Sequence, residues 1–495
     1  MFPWTALFLF WGCAKDAVPP ANLLAQVGDR VITTQDFIRR AEYTIRPDYC
    51  AGDHIVQRKI VLNSLIAEKL LALEAEAAGS SLDTNQAFQN YLQGRQEQAM
   101  RQWFYKTHAA DLVTIDSTEL KEAYRAAARN YRLAFYQLRD TSSIDGFNRA
   151  HADGYTFENI YQGLSGRDSI PTRSLSWFDR EEDAVWDAVY GQTLQQGQVL
   201  GPLVLSDGQV LVMKVLGWTE KPVLKEQDVA LRWHDVRERL HERKAQERYR
   251  KVVAEVMQGR ALEFNPAVFL PYAQTAADQY LRTAEEKREQ LNQALWDVEE
   301  HLETAPVEAF PPVQKGEWLF KLDGEAWSVR DFEEALQRHP LVFRHRSMGR
   351  NDFPEQFKLA IADMIRDLVV TERAYDLGYN RVTAVRQNRQ MFRDYYLSRQ
   401  FRDEYLTSRV PDSLQGGVRE STLLADYLNP LVDSLQAVYT NRIEIDTDQF
   451  EEIELTRVPM VVSQRGVPFP LMVPAFPRIT TDNRLDCGRK LERGK

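Results

Sequence analysis

Histidine, cysteine and a few glycine-anchored motifs carry most enzyme chemistry, so they are the first residues to locate in this 495-residue chain. Its eight histidines are scattered without ligand spacing. Its three cysteines, Cys13, Cys50 and Cys487, form neither a Cys-x-x-Cys pair nor a zinc-type cluster. There is no glycine-rich phosphate cradle, His-Glu-x-x-His pair or Gly-x-Ser-x-Gly elbow. Hydrolase, nucleotide-binding and zinc chemistry therefore lack positive support, and neither a metal nor a cofactor is expected.

Cys13 stands where a different chemistry is suggested. Met1–Gly12 is an apolar stretch as long as the core of a signal peptide and too short to cross a bilayer. Phe10-Trp11-Gly12-Cys13 resembles a lipobox, with Trp11 in place of the usual small residue. In that motif the cysteine becomes the lipidated first residue. The resemblance implies a signal peptide over 1–12, a tether over 13–22 and a periplasmic body held by lipid to a bacterial membrane, the outer one by preference. The alternative is a buried apolar N-terminal segment. Cys50 and Cys487 are then left over, and an oxidising compartment would allow them to pair.

Hydrophobic residues are 44% and charged residues 27%, the usage of ordinary globular proteins, and the length suits several domains. A net charge of −10 argues against a nucleic-acid backbone as partner. The basic run Arg237–Arg250 alternates with acids at helical spacing and reads as a solvated helix face.

The elements that would position a site form a plan that occurs twice. Leu23–Val31 reads as strand, Thr33 caps a helix opening at Asp36-Phe37, and Val56–Ala78 is a long helix stopping at Gly79. Trp318–Trp327, Ser328, Asp331-Phe332 and Phe353–Leu377 before Gly378 repeat that order, so an internal repeat is expected. Leu24-Ala25-Gln26-Val27-Gly28-Asp29 with Thr33, Thr34, Asp36 and Phe37 resembles the N-terminal chaperone module of the SurA, PpiD and PrsA class, which binds unfolded polypeptide and usually encloses a parvulin isomerase domain.

Residues 131–217 carry the second half of that resemblance. Gly154-Tyr155-Thr156-Phe157 with Ser165, Leu175-Ser176-Trp177-Phe178, Gly197–Pro202 and the strand Gln209–Val215 are similar, in order, to the parvulin signature segments. The implied fold is mainly α, with a small α+β parvulin-like domain and two related helical chaperone-type modules. The implied domains are a first module over 23–130, the parvulin-like domain over 131–217, returning helices over 218–304 that complete the first module, and a linker over 305–316. A second module without insert follows over 317–453, then a proline-rich arm over 454–495.

Parvulins use two facing strand histidines with a Cys or Asp to ease rotation about an amide whose barrier is about 18–20 kcal/mol. Here those strand positions fall at Phe135 or Tyr136 and at Val210 or Leu211, and none is histidine. Tyr136 and Asp168 are the remaining polar candidates for catalysis. Phe135, Trp177, Phe178, Trp186, Tyr190 and Met213 are the expected client-binding pocket. The expectation is a periplasmic, lipid-anchored chaperone with a degenerate isomerase centre, binding unfolded or outer-membrane polypeptides. The alternatives are an active peptidyl-prolyl isomerase and a structural lipoprotein clamping one fixed partner in an envelope complex.

Overall fold

The structure is a computed structural model that describes residues 22–179, 181–205, 208–220, 225–281, 315–344, 348–411, 419–455 and 469–491. The expected signal segment, Cys13 and most of the 305–316 linker lie outside the described residues.

In chain order the elements open with β1 (Leu23–Val27), β2 (Arg30–Thr33), α1 (Thr34–Glu42), α2 (Ile55–Ala77), α3 (Gln86–His108) and α4 (Ser117–Ala127). Next come β3 (Arg129–Leu138), α5 (Ser143–Ala152), α6 (Phe157–Ser165), β4 (Thr172–Leu175), α7 (Asp183–Tyr190), β5 (Val199–Val204), β6 (Val210–Glu220) and α8 (Glu226–Met257). Then follow β7 (Leu262–Phe264), α9 (Pro266–Tyr280), β8 (Trp318–Leu322), β9 (Glu325–Ser328), α10 (Val329–Arg338), α11 (Phe353–Asp376) and α12 (Thr383–Arg409). The chain closes with α13 (Glu420–Leu423), α14 (Asn429–Tyr439), β10 (Ile443–Ile445), α15 (Thr447–Glu452) and β11 (Arg489–Lys490). Helix dominates. The chain divides into two compact units, one of Met1–Trp103, Gly259–Val342 and Gly349–Lys495, the other of Phe104–Gln258 and Phe343–Met348.

Within the first unit, two hairpins share one geometry. β1 pairs with β2 through Leu23↔Thr33, Ala25↔Ile32, Gln26↔Val31 and Val27↔Arg30. β8 pairs with β9 through Trp318↔Ser328, Phe320↔Trp327, Lys321↔Ala326 and Leu322↔Glu325, the same register with the irregularity at the same place. Each hairpin feeds a helix through a capping box, Thr33 with Asp36 and Ser328 with Asp331. At equivalent turn positions Gly28 has φ +64° and Asp323 has φ +56°. Aspartate is one of the few residues that visit that left-handed backbone, and here its carboxylate is held across the sheet by the Ala261 amide and Arg260.

The closing strands depart from the expected order. The segment 218–304, expected to complete the first module, contributes β7, and β7 pairs antiparallel with β8 of the second hairpin. β10 supplies the missing neighbour, pairing antiparallel with β1. Three-residue strands carry too little pattern to name their partner, so packing decides the match. The C-terminal arm adds β11 in parallel beside β10, giving the order β11-β10-β1-β2. Phe476 and Ile479 of that arm are buried in the core formed by β1, α1, α2 and β10.

The second unit holds an antiparallel sheet of order β4-β3-β6-β5. Alternation along β3 sends Tyr131 and Leu133 to a core shared with α4, α7 and α8, and Ala134, Tyr136 and Leu138 to a core under α5 and α6.

Candidate functional site

The strands expected to carry a polar centre are β3 and β6, which face each other through Phe135↔Met213, Tyr136↔Val212, Gln137↔Leu211 and Leu138↔Val210. Period-two alternation puts Phe135, Leu211 and Met213 on the α7–α8 face, and Tyr136, Val210 and Val212 on the α5–α6 face. The first face carries no ionisable group at these positions.

Tyr136 is buried beneath α6, its ring 4.6 Å from Phe157 and 5.4 Å from Tyr161, and its hydroxyl donates to the Phe157 carbonyl at 3.4 Å. Burial first, and Glu158 second, push this phenol above its ordinary value. Asp168 lies on the exposed loop after α6 and accepts from Gln162 Nε2 at 2.8 Å. Ile170 of the same loop packs into the α5–α6 core, so Asp168 belongs to the side of the sheet away from Phe135 and Met213.

The expected client-binding residues divide. Trp177, Trp186, Tyr190 and Met213 are 1%, 2%, 5% and 0% exposed and form a filled core. Trp177 stands 4.6 Å from Trp186 and 5.2 Å from Tyr190, whose hydroxyl donates to the Leu175 carbonyl at 2.9 Å. Helix α8 closes this cluster: Arg239 stacks 4.4 Å over Trp186 and donates to the Trp177 carbonyl at 2.8 Å. Arg243, one turn on, lies 4.5 Å over the same ring and pairs with Asp187. The aromatic residues that read as pocket wall therefore act as core, and part of the basic run read as a solvated face is a guanidinium lid. Val236 and Leu240, buried on the same helix, were the sequence signal that this face packs inward.

Phe135 and Phe178 do reach solvent. Phe178 is 58% exposed, and the half-buried Phe135 ring lies 5.5 Å from the Arg173 guanidinium. Glu181 holds that guanidinium with two bonds of 2.7 and 3.1 Å.

Open concavities lie elsewhere in both units, and two of them carry the most apolar and the most extensive linings. In the second unit an apolar groove of about 430 Å³ runs between α5 and α6, floored by Phe147 and Ile160 and widened by Gly146, Ala150 and Gly163. In the first unit a cleft of about 1030 Å³ lies against β1, β2 and α12, lined by apolar and charged groups including Ile32, Leu65, Met391, Arg386 and Arg442. Its floor is an ionic network in which Arg40 donates to both Glu68 oxygens at 3.1 and 2.7 Å and Lys69 lies 3.0 Å from Asp394, which also pairs with Arg30. Burial alone would raise the Glu68 carboxyl; Arg40 and Lys69 outweigh it and hold the group below the ordinary range. Among the described residues no cluster of three or more His, Cys, Asp or Glu is arranged to hold a metal ion.

No protein-family model matches this chain, and no curated protein does. Among solved structures it is similar to a peptidylprolyl isomerase, PrsA, from Bacillus cereus, at 12% identity over 45% of this chain and 88% of that one, with a TM-score of 0.19.

Proposed function

We propose that this chain is a polypeptide-binding chaperone of the bacterial envelope, of the parvulin-type class, whose isomerase-like sheet has no catalytic centre. The observation that carries the reading is the apolar β3–β6 face. Phe135 and Leu211 stand at the strand positions where the parvulin resemblance puts polar groups around a twisting amide, and Tyr136 and Val210 lie on the opposite face. What such a molecule retains is surface for holding unfolded segments: the mixed cleft on β1–β2 and the apolar groove between α5 and α6. Two related helical modules, anchored through lipid on Cys13 at the periplasmic side of the outer membrane, would offer clients several weak contacts at once.

The test is suppression of light scattering from an aggregating unfolded client, with a protease-coupled proline-peptide assay alongside. The expected result is suppression near stoichiometric protein and no acceleration of isomerisation. Loss of suppression sinks the chaperone reading, and acceleration abolished by Tyr136→Phe or Asp168→Asn would restore an enzyme. Crosslinking in cells separates many substoichiometric clients from one fixed envelope partner. Cys13→Ala should shift the protein from the membrane to the soluble fraction.

A further inference from the structure

The two closing strands share one register and the same flanking backbone bonds on their inward side. Gly28 N–H donates to the Arg442 carbonyl at 2.8 Å and Asp446 N–H to Leu24 at 2.9 Å. In the same places Asp323 N–H donates to Ala261 at 2.9 Å and Asn265 N–H to Leu319 at 3.0 Å. Ile443-Glu444-Ile445 thus corresponds to Leu262-Glu263-Phe264, and Asp446 and Asn265 each cap the helix that follows.

Outward, the two strands differ. β10 is covered by an extended segment of the arm: Arg489 lies beside Glu444, Lys490 beside Ile445, and Leu491 N–H donates to the Ile445 carbonyl at 2.9 Å. Gly488 passes so close to Ile443 that a Cβ there would stand 2.6 Å from it. Ile443 and Ile445 are accordingly 0% and 1% exposed. No described strand pairs with the outer edge of β7, where Glu263 is exposed and Leu262 and Phe264 are half-buried. An open edge with its outward amides and carbonyls unpaired by strand is a template for another chain.

We infer that the outer edge of β7 is a β-augmentation site for an extended polypeptide, added in parallel, with a small residue beside Leu262 and a basic residue beside Glu263. The occupant's backbone placement is taken from the arm on β10, where Gly488 lies against Ile443 and Arg489 beside Glu444 with its guanidinium on Asn441 Oδ1 at 2.7 Å; the basic residue answers the exposed Glu263 carboxylate. The Phe264 carbonyl corresponds to the Ile445 carbonyl that accepts from Leu491. Glu263 remains available to a cation because its cross-strand neighbour Lys321 lies 4.5 Å over the Trp318 ring. Main-chain bonds give such a site its affinity and the flanking side chains its preference. The inference rests on the polypeptide-binding reading and names a site for it.

The test uses the full chain and a fluorescent peptide with the sequence of residues 484–491, Cys487 replaced by Ser, followed by anisotropy. Leu262→Pro removes an outward amide without touching the inward ladder and should weaken binding at least about tenfold. Glu263→Arg should weaken it similarly, and a peptide with Glu-Glu in place of Arg489-Lys490 should recover most of the loss on that variant. Equal binding by wild type and both variants overturns the inference, as does peptide-dependent hydrogen-exchange protection at β10 and not at β7. If Leu262→Pro does not fold, the charge-reversal pair decides alone. Client aggregation still suppressed by a variant that no longer binds the peptide would leave the chaperone reading standing and remove only its assignment to this edge.

Discussion

The hairpin β1–β2 and the hairpin β8–β9 have the same register, the same capping box and a closing strand seated by the same bonds, yet their surroundings are different. Around the first, the closing strand is sealed by β11, and the long helix α2 buries Glu68 against Arg40 and Lys69. Around the second, no described strand lies on the outer edge of the closing strand, and the equivalent acid on α11 is Asp367, bonded to His339 at 3.2 Å and to Arg366 at 2.9 and 2.7 Å. Backbone geometry is thus kept where local chemistry dictates it, while side-chain burial follows whatever packs from elsewhere in the chain.

The largest difference should appear when each acid is removed. Glu68 is fully buried, and Glu68→Ala leaves the Arg40 charge in the core with only the Ala475 carbonyl, while Lys69 keeps Asp394; an uncompensated buried charge costs about 3–5 kcal/mol. Asp367→Ala leaves the partly exposed Arg366 its bond to Asp363 at 3.0 Å, so the loss should be about 1–2 kcal/mol. Urea midpoints at constant m-value measure both, and equal losses would erase the distinction. The pH dependence sharpens it. Burial would raise both carboxyls, but Arg40 and Lys69 in one case, and His339, Arg366 and Arg101 in the other, hold them below the ordinary range. A carboxyl depressed in the folded state contributes stability that is complete above the unfolded value of about 4 and lost as pH falls through the folded one. The urea midpoint should therefore drop below about pH 4. Glu68→Gln should flatten that fall more than Asp367→Asn.

The closing strands supply the next contrast. Ile445 is 1% exposed between β1 and β11, so Ile445→Ala should cost about 2–4 kcal/mol, the range for a truncated buried aliphatic. Phe264 is the larger side chain but half-buried, with Phe269 at 4.8 Å and Phe320 at 6.0 Å on its inner side. Phe264→Ala should cost about 1–2 kcal/mol despite the greater volume removed. A larger loss at Phe264 than at Ile445 would mean that the β7 edge is covered.

How much of this was legible in the sequence follows the same division. Thr33 with Asp36-Phe37 and Ser328 with Asp331-Phe332 could be read directly, because a capping box is a contact across three residues of one chain segment. The pairing of β10 with β1 could not, since Ile443-Glu444-Ile445 and Leu262-Glu263-Phe264 are both apolar-acid-apolar triplets and either suits either hairpin. In the small sheet, the absence of histidine at Phe135 and Leu211 was plain, but the role of Trp177 and Trp186 was not. A tryptophan's type does not say whether its ring meets a client or the guanidinium of Arg239, because Arg239, whose Nη1 donates to the Trp177 carbonyl, stands 62 residues further along the chain.

The smallest effect gives the strictest test of equivalence between the two hairpins. In the first, the Thr33 hydroxyl accepts from Asp36 N–H at 3.0 Å while the Asp36 carboxylate accepts from Thr33 N–H at 3.1 Å. In the second, the corresponding bonds of Ser328 and Asp331 are 3.2 and 2.8 Å. Replacing a capping hydroxyl residue with alanine typically costs about 1 kcal/mol, since one first-turn amide loses its partner. Thr33 is buried, so Thr33→Ala also removes a packed methyl, worth about 0.8 kcal/mol, that Ser328→Ala does not. With that methyl taken from Thr33→Ser, the capping loss at Thr33 and the loss in Ser328→Ala should agree within about 0.5 kcal/mol in urea unfolding. A gap wider than that would show that the environment reaches even the cap, so that the shared backbone register is all the two hairpins have in common.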